Sequence, residues 1–320
     1  MRAQASRERL EAALEIDVRP PWPYRLPRRG GGDGVARVRG NVITRLLHID
    51  ERPVVVHAWQ PSPDLVRLRA CGAEGEDANA DLELAIERMR FALAVDQDLS
   101  DFHAAFRADP LLGPAVRQRP WYRPKRRPWP WEALAWAVTE QLIQASRAAE
   151  IQRRMVRRWG RKIPAPDSAA RAAWNGPGPL RDVPDAGMIA GRAPAELAAM
   201  DLAPARALAL IRCAREVARG RADLSSREAD ARLLRIPEIG PWTLQCLGLG
   251  GRGDPDSLPA GDLAYVKLVG HLTGLGRRAT VAEVEEYFAP YAPFRALAGG
   301  FALAHWGRAM GAGPPAGPPA

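Results

Sequence analysis

Leu233-Leu234-Arg235-Ile236-Pro237-Glu238-Ile239-Gly240-Pro241-Trp242-Thr243 is the stretch on which the reading of this chain turns. Ser225 followed three residues later by Glu228 has the spacing of a capping box, which predicts a helix opening just upstream. Pro237 is expected to close that helix, because its ring clashes with the preceding turn and it lacks an N–H donor. Gly240 allows a tight backbone and Pro241 suits a first helical position, so a second helix is expected to start at once. The unpaired N–H groups of that second helix would face outward, where an anion such as a phosphate can meet them. The same pattern also describes an ordinary tight turn between two packed helices, and the stretch alone does not decide between them.

Downstream, Asp254-Pro255-Asp256-Ser257-Leu258-Pro259-Ala260-Gly261-Asp262-Leu263 places a carboxylate, Asp262, at a predicted helix start about twenty residues past the turn. An Asp there is either a plain N-cap or a charge held for chemistry. From residue 132 onward the period is helical, over 132–159, 194–200, 204–219, 227–236, 242–249, 262–275, 281–288 and 294–310. Upstream, residues 35–49, 53–60 and 65–70 are rich in Val, Ile and Leu between turn-like segments, and predict an antiparallel meander. Residues 1–16 look charged and helix-like, 30–34 form a Gly-rich run expected to be flexible, and Ser100 is expected to cap a short helix after one beginning near Asp81. Residues 117–131 mix Arg, Lys, Trp and Pro. They read as a stiff connection or as a stretch that grips phosphates and stacks on bases.

The fold class expected is therefore α+β. A small N-terminal antiparallel sheet domain with helices (1–118) precedes an all-α domain (119–310) whose hairpin lies at 225–250, and the Gly/Pro/Ala tail 311–320 is expected to be disordered. The net charge of +9 favours a polyanionic partner, although an Arg-rich composition can also follow from base composition of the genome. The 3 scattered cysteines argue against a disulfide framework and for a reducing compartment, and they offer no zinc or iron–sulfur spacing. With no signal core and no apolar run approaching about 18 residues, a cytoplasmic location is expected.

The hairpin, the Pro-then-Asp segment after it, and the stretch Trp131-Glu132-Ala133-Leu134 through Glu140-Gln141-Leu142-Ile143 together resemble the helix-hairpin-helix DNA glycosylases. The similarity is narrower to the bacterial alkylpurine (3-methyladenine type II) members, and it spans roughly residues 20–310. The resemblance implies a monofunctional enzyme that flips alkylated purines out of double-stranded damaged DNA and hydrolyses the glycosidic bond. It implies a nucleoid-associated monomer that requires no cofactor. Asp262 would be the catalytic carboxylate, stabilising an oxocarbenium-like state and orienting water. Trp242 stands where bifunctional relatives carry the Schiff-base Lys, so no strand-cleaving lyase activity is expected. Trp242, Cys246 and Trp306 would line the base pocket, with Cys246 where close relatives have a Tyr. DNA contacts would come from Gln141 and Leu142, the latter as a wedge filling the gap left by the flipped base, and from Ile236, Pro237, Ile239, Gly240, Pro241 and Thr243. A monovalent cation held by the carbonyls of Leu234, Ile236 and Ile239 is a further implication. Glu238 departs from the pattern, which has glycine there, and the alternative of a non-catalytic DNA-binding or damage-sensing protein stays open.

Overall fold

The computed structural model describes residues 12–163 and 178–307, so the tail 311–320, expected to be disordered, lies outside the described residues. The chain opens with strands β1 (Ala12–Val18), β2 (Ala36–Arg39), β3 (Val42–Ile49), β4 (Arg52–Ser62) and β5 (Leu65–Gly72). These pair antiparallel in the order β1-β5-β4-β3-β2. The expected meander is there as β2 to β5, and β1 closes its far edge. Residues 12–16, read as helix-like, are part of that edge strand, with Ala12 opposite Gly72 and Ile16 opposite Leu68. Alternation in Ala12-Ala13-Leu14-Glu15-Ile16-Asp17-Val18 is the period-2 signal of a half-buried strand, and tertiary pairing outweighs the helical propensity of its Ala and Glu.

Helix α1 (Ala78–Leu93) lies on one face of the sheet. Its Leu82, Ala85, Ile86, Met89 and Leu93, spaced at three and four, pack with Ile43, Leu47, Val54, Val56, Val66 and Leu68. On the other face Leu46 and Val55 meet Ile163 and Leu180, from the short pair β6 (Lys162–Ile163) and β7 (Leu180–Arg181). The helices that follow α1 are α2 (Ser100–Phe106), α3 (Gly113–Gln118), α4 (Pro130–Glu140), α5 (Ala145–Trp159), α6 (Ala186–Ala190), α7 (Pro194–Ala198) and α8 (Pro204–Ala218). They continue as α9 (Ala229–Leu233), α10 (Pro241–Leu247), α11 (Leu263–Leu272), α12 (Val281–Phe288) and α13 (Arg295–Trp306). The long helix expected over 132–159 is broken into α4 and α5 at Gln141–Gln144. Ser100 is the first residue of α2 rather than its cap, and its N–H is met by Asp98 Oδ1 at 2.8 Å.

Two clusters fill the helical body. One joins α4, α5 and α6 to α10; the other joins α2 and α3 to α11, α12 and α13. Helices α2 and α3 precede residue 118, yet Phe102, Leu112 and Val116 are buried with Leu268, Phe288 and Phe301. The Gly-rich run at 30–34, read as flexible, is pinned: Asp33 is buried and accepts from Trp136 Nε1 at 3.0 Å and Arg127 Nη1 at 2.7 Å. Arg45 of β3 meets Glu132 of α4 at 2.5 Å, and His48 donates its backbone N–H to Asp182 at 3.0 Å. A buried ionic network thus joins sheet to helices. Burial alone would raise the Asp33 carboxyl, but Arg127 and Arg45 outweigh it and hold it below its ordinary value.

Two histidines are kept neutral by packing. His103, buried against Trp22 and Phe301, and His57, beside Thr44, are each lowered to about 4 by burial, with a second push from Arg123 and Arg69 respectively. A depressed value means that the unfolded chain binds protons the folded one refuses. Their contribution is therefore complete above about pH 6.5 and lost as the pH falls toward 4. Thermal melts across that window are expected to show stability falling by on the order of 2 kcal/mol or more. A flat profile in a His57→Phe/His103→Phe double variant would assign the loss to these rings.

Candidate functional site

The hairpin is built by α9 and α10. The capping box expected at Ser225 and Glu228 does not form. Ser225 turns its N–H and hydroxyl to Asp223, Ser226 Oγ accepts from the Glu228 N–H, and the helix runs only from Ala229 to Leu233. Ile236 and Ile239 bury their side chains in the first cluster, so only their backbone can serve a ligand, while Pro237, Glu238 and Pro241 are exposed. The N–H groups of Glu238, Gly240 and Trp242 have no acceptor among the described residues. Gly240 has φ −121°, which any residue adopts, and a Cβ there would meet nothing within 4 Å. The left-handed residue is Glu238, at φ 73°.

A Cβ in that region is strained, by about 1 kcal/mol or more. Glu238→Gly is expected to raise unfolding free energy by about 1 kcal/mol, less what glycine adds to the unfolded chain. It should also tighten binding to duplex DNA several-fold at low salt, since a carboxylate leaves the exposed tip. Denaturant titration and a salt series of binding isotherms check both.

The hairpin holds the α4–α5 turn. Gln141 Nε2 donates to the Glu238 carbonyl at 2.7 Å and to Thr243 Oγ1 at 2.9 Å. Arg206 of α8 donates to the carbonyls of Gln141 at 2.9 Å and Thr139 at 3.2 Å. Between these anchors Leu142 sits at φ 57° and is 100% exposed. A leucine that is both left-handed and fully solvated incurs two costs that no contact within the described chain offsets.

Asp262 caps α11, with Oδ1 accepting the Ala264 N–H at 2.8 Å. Its other oxygen has no hydrogen-bond partner among the described residues, and the residue is half-buried. Burial pushes the Cys246 thiol up, and the charges of Glu140 and Asp262 add to it. Burial also raises the Tyr265 hydroxyl, reinforced by Tyr122, Asp262 and Cys246. Tyr122 is pushed up to about 12 by the same cause. Asp262, Cys246, Tyr265, Tyr122 and Glu140 therefore share one neighbourhood.

Helix α13 reaches that neighbourhood through two glycines. A Cβ on Gly299 would lie 2.8 Å from the Tyr265 ring, and one on Gly300 would lie 2.7 Å from the Tyr122 hydroxyl. Neither hydroxyl has a hydrogen-bond partner among the described residues. Trp242 flanks the loop before Asp262, with Cδ1 3.8 Å from where a Cβ on Gly261 would stand. Trp306 is placed otherwise: its indole N–H donates to the Leu111 carbonyl at 3.3 Å, about 10 Å along α13 from Gly299. Lys267 is exposed on α11.

Tyr265 and Tyr122 escaped the sequence reading. Tyr265 could have been found, because it stands three residues after Asp262 and so shares its helix face. Tyr122 lies in the Pro-rich connection and carried no such signal. The cations of that connection mostly bind protein: Arg123 donates to Gln97 at 3.0 Å, Arg126 to Gly253 at 3.2 Å, and Trp121 is covered by Arg25 at 3.2 Å.

An antiparallel sheet leading into a helical body, with a hairpin beside an Asp-capped helix, is a fold that this chain shares with DNA glycosylases of known structure. It superposes on a 3-methyladenine DNA glycosylase from Archaeoglobus fulgidus with TM-score 0.75 at 19% identity, covering 92% of this chain and 98% of that one. A second solved structure, MBOgg1 in complex with a low-affinity DNA ligand, gives 0.69 at 18% identity, covering 93% and 96%.

In sequence the chain is 26% identical over 210 residues to the DNA-3-methyladenine glycosylase of Bacillus subtilis, covering 64% of this chain and 66% of that protein. It is 27% identical over 266 residues to a probable bifunctional transcriptional activator/DNA repair enzyme AlkA of Mycobacterium tuberculosis, covering 83% of this chain and 50% of that protein. The chain thus spans about two thirds and one half of these relatives. In fold and in sequence the chain is similar to DNA glycosylases. No family model matches the chain.

Among the described residues no group of His, Cys, Asp and Glu could hold a metal ion, and no helix is long and apolar enough to cross a membrane.

Proposed function

We propose that this chain is a DNA glycosylase that flips alkylated purines from the duplex and releases them by hydrolysis, without cleaving the strand. The observation that carries this reading is Asp262, whose carboxylate is oriented through one oxygen and, among the described residues, unpartnered at the other, next to Gly261, which Trp242 of the hairpin's second helix flanks. The hairpin would take a backbone phosphate on the N–H groups of Glu238, Gly240 and Trp242, which fixes register without reading sequence. Leu142 would enter the stack where the lesion leaves it. The sugar then stands at Asp262, where the free oxygen can face developing positive charge or align a water for attack at the anomeric carbon.

Trp242 supplies no amine, so the route through a Schiff base is closed at that position. Tyr122, Tyr265 and Cys246 would border the base together with Trp242; Trp306, two turns away, would act at most on the outer wall. On this reading the partner is double-stranded damaged DNA, and the chain works as a cytoplasmic, nucleoid-associated monomer with no cofactor in the reaction.

On this reading the hairpin would also hold a monovalent cation. The carbonyls of Leu234 and Ile239 accept no backbone hydrogen bond, and that of Ile236 takes only the Ile239 N–H at 3.1 Å. Such an ion would add positive charge near the phosphate.

The test is incubation with methylated duplex DNA followed by chromatography for free base and a strand-cleavage assay without heat or alkali. Released 3-methyladenine with an intact strand supports the reading. Binding with no release would leave a damage-sensing protein, and spontaneous nicking would revive the lyase.

A further inference from the structure

We propose that Gln141 is a positioning residue that locks the Leu142 turn to the hairpin, so that gripping the phosphate and aiming the wedge are one event. This inference rests on the excision reading above.

A carbonyl can only accept, so the 2.7 Å contact with the Glu238 carbonyl identifies the Gln141 atom as the amide NH2, which spends its second hydrogen on Thr243 Oγ1. One end of this bridge is the exposed tip of the hairpin and the other is the first turn of α10, with Thr243 buried. Arg206 fixes the backbone on the near side through the carbonyls of Thr139 and Gln141. Gln152 adds a bond to Thr139 Oγ1 at 2.9 Å and one to Glu140 Oε1 at 3.1 Å, which closes the end of α4. The end of α4 and the residue before Leu142 are therefore held, while the Leu142 side chain stands in solvent.

An unlatched turn would let Leu142 leave the left-handed region, which is the lower-energy choice for a leucine. The latch thus opposes a local relaxation that would withdraw the wedge. It acts through Leu142 and does not touch the reacting atoms.

The prediction separates insertion from everything else. A duplex with one N7-methylguanine opposite cytosine needs the wedge; the same strand opposite an abasic-site analogue has no partner to displace. In single-turnover assays Gln141→Ala is expected to slow release from the paired lesion about tenfold and from the unpaired one less than twofold. Gln141→Glu, which keeps the shape and loses both donors, should match it, with both variants melting near the wild-type temperature. In a Leu142→Ala background the Gln141→Ala change should alter the rate less than twofold, because the two act as one unit. Equal loss on both duplexes, or additive loss in the double variant, overturns the latch. A wild-type chain that releases base from neither duplex overturns the excision reading, and the latch with it.

Discussion

Asp262→Asn is expected to lower single-turnover release of alkylated base by about 10³-fold while binding to the same duplex changes less than severalfold. The asymmetry follows from what each oxygen does. Asn is as good an N-cap as Asp, so its side-chain oxygen can keep the Ala264 N–H and α11 still starts at Leu263. The loss falls on the second oxygen, which becomes a neutral amide nitrogen and can neither face positive charge nor take a proton from water. The measurement is chromatography of free base over time, with binding measured separately on a duplex holding an abasic site. Release at the wild-type rate would remove Asp262 from the chemistry, and loss of binding in step with release would make its role structural.

The second large effect lies in the core. Glu132 is 1% exposed and Arg45 5%, and they meet at 2.5 Å, with Arg127 a further 3.2 Å away from the same carboxylate. Glu132→Ala leaves the Arg45 guanidinium buried with Asp182 at 3.9 Å as its nearest counter-charge. Breaking a buried pair from one side costs about 3–5 kcal/mol, since the remaining ion can neither reach water nor discharge. Urea denaturation should therefore show a loss of that size. The double replacement Arg45→Met/Glu132→Leu should recover most of it, because apolar groups of similar volume need no partner. A loss under about 1 kcal/mol for the single variant would show that solvent or Asp182 takes over.

Much of the architecture was legible because it is periodic. Leu82, Ala85, Ile86, Met89 and Leu93 lie on one helical stripe, and the strands alternate between turn signals, so α1 and the meander follow from spacing alone. The break in 132–159 was not legible. Gln141, Leu142, Ile143 and Gln144 contain neither Gly nor Pro, and the turn exists because the hairpin and Arg206 hold it, contacts 65 to 102 residues away in sequence. The same is true of Asp33, which lies in a Gly-rich run and is held by Arg127 and Trp136, 94 and 103 residues away in sequence. Glu238 was legible as an anomaly: the pattern requires a left-handed residue there, and the chain adopts it with a side chain that resists it.

The second helical cluster has a temporal consequence. Phe102, Leu112 and Val116 share their cluster with side chains of α11, α12 and α13, the last of which ends just before the last described residue. A ribosome therefore exposes these side chains for most of the synthesis of the polypeptide, at about 5–20 residues per second, before Phe288 and Phe301 emerge to cover them. The face of the sheet that packs on α1 finds those partners within the first hundred residues and can settle early, whereas Leu46 and Val55 on the other face wait for Ile163 and Leu180. Nascent chains arrested before α11 should accordingly recruit holdase chaperones through this unpaired apolar segment, whereas chains released after α13 should not.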